Sequence, residues 1–186
     1  MLTADELVES SPKAGCVWLE PASPPERTGS IYYADRYAPM QAWGLVHKVG
    51  RTLYPPGFAE GALVIYDRRA AADLETSDRA MISLIGFQYI VALITEAKEI
   101  VPLRDWVLII PDSNPEVSEG GILLPERRQS EEPADRGTVI SLGPLVSGLN
   151  PGDKVLYEPY EAIEVTADGK DKILVQECDV IAVIEE

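Results

Sequence analysis

A chain of 186 residues with 46% hydrophobic content is long enough for one large domain or two of about ninety residues. Its net charge of −15 and the lack of any basic block argue against nucleic acid and anionic membrane as partners. The two cysteines, Cys16 and Cys178, are far apart and carry no ligand spacing, so neither a disulfide framework nor a metal site is indicated, and no apolar run approaches a membrane span.

The acidic N-terminus lacks signal or transit character, so a cytoplasmic protein is expected (the host cytoplasm if viral). Thr3-Ala4-Asp5-Glu6 has the form of a capping box, and Thr3 to Glu9 reads as one or two short helical turns. From Lys13 onward the chain is broken into short apolar runs by Gly, Pro and Asn, the signature of a small all-β barrel. Val17–Leu19 is the first such run. Ser23 and Pro25 then open a segment holding Gly29-Ser30-Ile31-Tyr32-Tyr33, with Tyr37, Met40 and Trp43 close behind. Gly44–Gly50 and Gly61–Tyr66 read as strands. Asp67 to Ala80, rich in Ala, Asp and Arg, is a loop or a short helix, and Ile90–Ile94 is again a strand.

The second half repeats this plan. Val17-Trp18-Leu19-Glu20-Pro21 lines up with Val107-Leu108-Ile109-Ile110-Pro111, Gly44–Gly50 with Gly137–Gly143, Gly61–Tyr66 with Gly152–Tyr157, and Ile90–Ile94 with Val180–Ile184. The offset stays near about ninety residues throughout, which is the mark of an internal duplication. The expected organisation is an extension over 1–10, a first domain over 11–95, a linker over 96–100 and a second domain over 101–186. Each domain is read as a small β-barrel, so the fold class is all-β, two in tandem. Asp168-Gly169 is the strongest hairpin signal, between Ile163–Thr166 and Lys172–Val175.

The most informative stretch is residues 118–157. Gly120 and Gly121 free the backbone; Ile122, Leu123 and Leu124 follow, closed by Pro125; then Glu126 to Arg136 is polar with almost nothing to bury. Ordering such a segment costs roughly 1–2 kcal/mol per residue, which its composition cannot recover. An aliphatic triplet inside it suggests a docking peptide, although periodicity alone does not separate that from a buried strand. Beyond it, Asn150-Pro151-Gly152-Asp153 has Pro and Gly where a type II turn wants them.

The order of these parts (strand, polar loop, Gly-Gly-Ile-Leu-Leu-Pro, polar loop, Arg-Gly-x-Val, Pro-Gly-Asp-Lys-Val-Leu, and a last strand Asp179–Ile184) resembles the GroES family of chaperonin lids, the co-chaperonins, over about residues 101–186. The resemblance implies two tandem GroES-like small β-barrels, as in the double-domain co-chaperonins of chloroplasts. It implies that Gly120, Gly121, Ile122, Leu123 and Leu124 sit on a mobile loop that docks into a chaperonin ring, with Ile31, Tyr32 and Tyr33 at the matching place in the first repeat. Two departures stand out. The first repeat has aromatics where an aliphatic triplet is expected, so that loop either binds by a different chemistry or has lost its docking role. The segments Pro144–Asn150 and Arg51–Glu60 are also short where the family carries a roof hairpin, which is similar to a bacteriophage head-assembly co-chaperonin.

Chemistry of other kinds finds no residues here. The single histidine, His47, lies on an alternating strand, no Ser/His/Asp set can be built without it, and no phosphate-binding loop occurs. Zinc-dependent alcohol dehydrogenases carry a similar domain, but with a Rossmann domain and zinc ligands, and this chain has neither. A non-enzyme without cofactors or metal is expected. The leading reading is a co-chaperonin; the alternative is a structural or viral assembly protein that keeps the fold without docking. In the family a subunit's first strand pairs with its neighbour's last, which here implies a homo-oligomeric ring of three or four chains presenting six or eight domains.

Overall fold

A computed structural model describes residues 11–22, 41–51, 54–75, 81–112, 135–167 and 170–184. The capping-box segment Thr3–Glu9 lies outside them. The chain divides into two compact units, Met1–Leu103 and Arg104–Glu186, and is all-β, as its apolar runs lead one to expect. Among the described residues the only helices are single 3-10 turns, and none is long and apolar enough to cross a membrane.

The first unit is a seven-stranded antiparallel sheet. Its strands are β1 (Cys16–Ala22), β2 (Gln41–Val49), β3 (Leu63–Asp67), β4 (Ala72–Glu75), β5 (Met81–Gly86), β6 (Ile90–Ile94) and β7 (Ile100–Pro102), ordered β4-β5-β1-β2-β3-β6-β7. The second unit contains β8 (Trp106–Pro111), β9 (Arg136–Leu142), β10 (Lys154–Tyr157), β11 (Ile163–Ala167), β12 (Lys170–Gln176) and β13 (Val180–Ile184), ordered β11-β12-β8-β9-β10-β13. Strand for strand the two orders agree, except that the first unit carries β7 in addition. Even the irregularities match: a bulge interrupts the β1–β2 pairing at Trp18/Leu19 and the β8–β9 pairing at Leu108/Ile109. A second shift falls at Ile65/Tyr66 against β6 and at Leu156/Tyr157 against β13. Bulges bend a strand and raise its twist, which is how a short sheet curls round a core.

Alternation along the strands supplies those cores. Val17, Leu19, Val46, Val64, Tyr66, Ile85, Ile90, Leu93 and Leu103 form the first. Val107, Ile109, Val139, Val155, Tyr157, Ile173 and Val175 form the second. The type II turn is present: Asp153 donates its backbone N–H to Asn150 O at 3.1 Å, with Gly152 at a φ of 98°. β11 and β12 close with Ala167 opposite Lys170, leaving the two residues of the Asp168-Gly169 turn outside the described set. His47 is half-buried on β2.

The segment Asp67–Ala80, read as a loop or a short helix, holds a 3-10 turn over Arg68–Ala70 and then β4. Asp67 caps that turn, accepting from the Arg69 backbone N–H at 2.9 Å, and a guanidinium nitrogen of Arg69 sits 2.9 Å from its carboxylate. The β4–β5 hairpin was hidden because Ala72-Asp73-Leu74-Glu75 is exposed along its whole length and shows no apolar alternation.

Between β6 and β7 the chain makes a tight turn through Lys98, whose φ is 63°. Thr95 and Glu99 exchange hydrogen bonds there: Thr95 N–H to Glu99 O at 3.0 Å, and Glu99 N–H to Thr95 Oγ1 at 3.1 Å. β7 then pairs antiparallel with β6, and Leu103 N–H reaches Val91 O at 2.9 Å.

Candidate functional site

The residues that sequence reasoning places at a docking site are Gly120, Gly121, Ile122, Leu123 and Leu124 in the second repeat and Ile31, Tyr32 and Tyr33 in the first. All lie outside the described residues, in 113–134 and 23–40. What the structure describes is the stem from which each segment departs and to which it returns.

In the second unit β8 and β9 end side by side, with Pro111 opposite Gly137. Asp112 N–H donates to Arg136 O at 2.9 Å, and Tyr157 N–H donates to Asp135 O at 2.8 Å. Residues 113–134 are therefore closed at their root by backbone hydrogen bonds on adjacent strands. The first unit has the same plan: Pro21 lies opposite Gly44 and Ala22 opposite Trp43.

Close packing at each root explains the glycines. A Cβ on Gly137 would collide with Ile110 O and Ile109 Cγ2, and one on Gly44 would lie 3.0 Å from the Tyr66 ring and 3.3 Å from Leu19. Strands can approach this nearly only where no side chain intervenes.

A tyrosine is buried beside each root. Burial, followed by the nearby charges of Asp135 and Asp112, pushes the Tyr157 phenol up to about 12 from its ordinary 10.0. Tyr66 is also raised, first by burial and then by Asp73, opposed by a hydrogen bond with Ser83. The fully buried Ser83 in turn donates from Oγ to Asp73 Oδ1 at 2.5 Å. Sequence reasoning noticed that the two tyrosines share a register but not that they sit against the roots.

The Tyr157 environment carries an expected result. The folded state keeps the phenolic proton to about 12, whereas the unfolded chain releases it near 10.0. Its contribution to stability is therefore complete below pH 10.0, falls as pH rises toward 12, and is gone above that. Thermal unfolding measured across this window should decline less steeply in Tyr157→Phe than in the parent chain. Parallel declines in the two proteins would refute it.

Neither roof position carries a strand among the described residues. The connection from β9 to β10 is made of turns, held down where Ser147 N–H donates to Glu177 Oε1 at 2.7 Å, while Leu145 is 64% exposed. In the first unit the corresponding connection is packed by aromatics. Tyr54, Phe58 and Phe87 lie with ring centroids 4.9–5.0 Å apart, and Tyr54 OH donates to Cys16 O at 3.3 Å. Among the described residues no group of His, Cys, Asp and Glu side chains could hold a metal ion.

Comparison with known proteins gives a consistent result for the second repeat. A family model described as the chaperonin 10 Kd subunit matches residues 99–184. The co-chaperonin GroES of Rhodothermus marinus is 36% identical over 96 residues, covering 47% of this chain and 94% of its own length. That of Gemmatimonas aurantiaca is 33% identical over 95 residues, 47% of this chain and 96% of its own. That of Phocaeicola vulgatus is 37% identical over 89 residues, with 46% and 97% covered.

Proposed function

The chain belongs to the chaperonin 10 family of co-chaperonins, and we propose that it acts as a lid that caps a chaperonin ring through apolar loops and so assists protein folding. The observation that carries this reading is the pairing of the residues that flank 113–134, with Pro111 opposite Gly137 and Asp112 N–H on Arg136 O, which brings the two ends of that segment together on adjacent strands. Burying three aliphatic side chains gains roughly 1.5–3 kcal/mol each, and ordering the loop that carries them costs a comparable amount. A single loop thus binds weakly. Several loops on one lid bind strongly through effective concentration, and weak individual contacts let the lid release when the chaperonin changes state.

In this reading residues 11–95 and 101–186 are two copies of the family domain, and Gly120, Gly121, Ile122, Leu123 and Leu124 form the principal docking site. The first copy, divergent in its loop, contributes through Ile31, Tyr32 and Tyr33. The active lid is a ring of three or four such chains, working without cofactor or catalytic chemistry in the cytoplasm. The test is capture of the protein by a chaperonin ring, with and without nucleotide. Nucleotide-dependent capture is expected, and no capture in any nucleotide state would overturn the proposal in favour of a structural or assembly role.

The loops should contribute unequally, because aromatics with polar tips replace aliphatics in the first. Tyr32→Asp is expected to weaken capture less than Leu123→Asp. Equal losses from the two variants would show that the loops are equivalent.

A further inference from the structure

Phe87 and Glu177 occupy the same point in the two units. Each opens the 3-10 turn that follows a strand, Phe87–Tyr89 after β5 and Glu177–Asp179 after β12. Each is anchored by its backbone in the same way, Phe87 N–H donating to Gly15 O and Glu177 N–H to Asp105 O, both at 2.8 Å. From that point each side chain meets the connection that crosses one end of its own sheet, but the chemistry differs. Phe87 packs edge-on against Tyr54 and Phe58, with centroids 5.0 and 4.9 Å away. Glu177 Oε1 accepts the Ser147 backbone N–H at 2.7 Å and lies 3.5 Å from Ser147 Oγ.

The segment that Glu177 holds, residues 144–149, crosses the end of β8 and β9 where Val107 is opposite Leu142; the root of 113–134, where Pro111 is opposite Gly137, is at the other end. It starts where Gly143 N–H and Leu145 N–H donate to Trp106 O and Arg104 O, both at 2.8 Å. It finishes at the Asn150–Asp153 turn, which locks itself as Asp153 Oδ2 accepts the Asn150 N–H at 2.8 Å. In between, Val146 and Leu149 pack against the second core, and Gly148 holds a φ of 85°. Its middle is tethered to the rest of the unit by the Glu177 carboxylate.

We propose that residues 144–149 form a strap, latched by Glu177 over the end of the second core, that opens as a local unit while the sheet beneath it stays paired. A hydrogen bond at an exposed site is readily exchanged for one to water, whereas three packed rings cannot part without exposing apolar surface. Segments with exposed backbone bonds and few buried contacts open at low free energy. The first unit, capped by aromatics at the matching place, has no such strap. Because strap and root lie at opposite ends of β8 and β9, opening uncovers Val146, Leu149 and the end of the core without releasing the root of 113–134.

Amide hydrogen exchange on the full-length chain tests this without any partner. Glu177→Ala should speed exchange at Leu145 and Ser147 together, by about tenfold or more, as expected from losing a hydrogen bond to a charged group. Glu177→Gln, which keeps a neutral acceptor, should do so by a smaller factor. Gly148→Ala leaves the latch in place but strains the closed backbone, and should speed the same amides by about fivefold or more. Amides of the β8–β9 ladder should keep their rates in all three variants. Phe87→Ala should instead lower protection across the whole first unit, because it empties part of a packed cluster. Faster exchange at Ser147 alone would reduce the strap to one local contact, and unchanged rates would show that Glu177 is no latch. Loss of protection throughout the second unit would mean that the segment does not open by itself. Local opening of residues 54–58 in Phe87→Ala would remove the claimed difference between the units. Any of these results overturns the proposal.

Discussion

Replacing Leu123 with Asp is expected to abolish capture by a chaperonin ring while the protein keeps its fold. Leu123 is the middle of the triplet that follows Gly120 and Gly121 and precedes Pro125. The substitution removes the roughly 1.5–3 kcal/mol that a buried leucine supplies and asks the partner's apolar surface to accept a carboxylate, which adds a further desolvation cost. Because every copy in a lid loses the same contact, the losses combine across the loops and capture disappears rather than weakening. The stem is left alone: the hydrogen bonds of Asp112 to Arg136 and of Tyr157 to Asp135 involve backbone outside the loop. Circular dichroism and thermal unfolding should match the parent, and pull-down with the chaperonin should fail. A well-folded Leu123→Asp protein that still caps the ring would show that the triplet is not the docking element.

Leu103→Ala should be the most damaging of the substitutions outside the loops, costing the first unit about 2–5 kcal/mol. Leu103 is followed directly by the boundary between the units, yet its side chain belongs to the first core and its backbone N–H donates to Val91 O. Truncation leaves a cavity that strands pinned by ladder hydrogen bonds cannot collapse to fill. Urea unfolding followed by tryptophan fluorescence reads this directly, since Trp18 and Trp43 report on the first unit once Trp106 is replaced by Phe. Lys13→Ala, at the matching place in the first repeat, is an exposed substitution and should change stability by less than about 0.5 kcal/mol. A Leu103→Ala midpoint within error of the parent would mean that Leu103 does not plug the first core.

Local patterns in the sequence determined a large part of the result. Short apolar runs separated by Gly, Pro and Asn are enough to make the chain all-β, because period-two burial and turn chemistry act over a few residues. Asn150-Pro151-Gly152-Asp153 encodes its own turn in the same way, through the positive φ that Gly152 supplies. The ordered motifs from Asp105 to Ile184 were also enough to name the family, since their spacing is set by strand lengths and turns that this sheet requires.

Tertiary structure alone decided the rest, and the reason in each case is a partner distant in sequence. β4 is a strand because β5 lies beside it; Ala72–Glu75 has no apolar face of its own to announce one. Tyr157 acquires its high proton affinity from burial and from Asp135 and Asp112, which flank residues 113–134 and are distant from it in sequence. β6 and β13 have nearly the same composition, and no local property of either says that one is covered and the other exposed. That difference comes from Ile100–Leu103, whose backbone finds its hydrogen bonds on β6 of the first unit although the sequence reads Ile100 as the end of a linker and 101–103 as the start of the second domain.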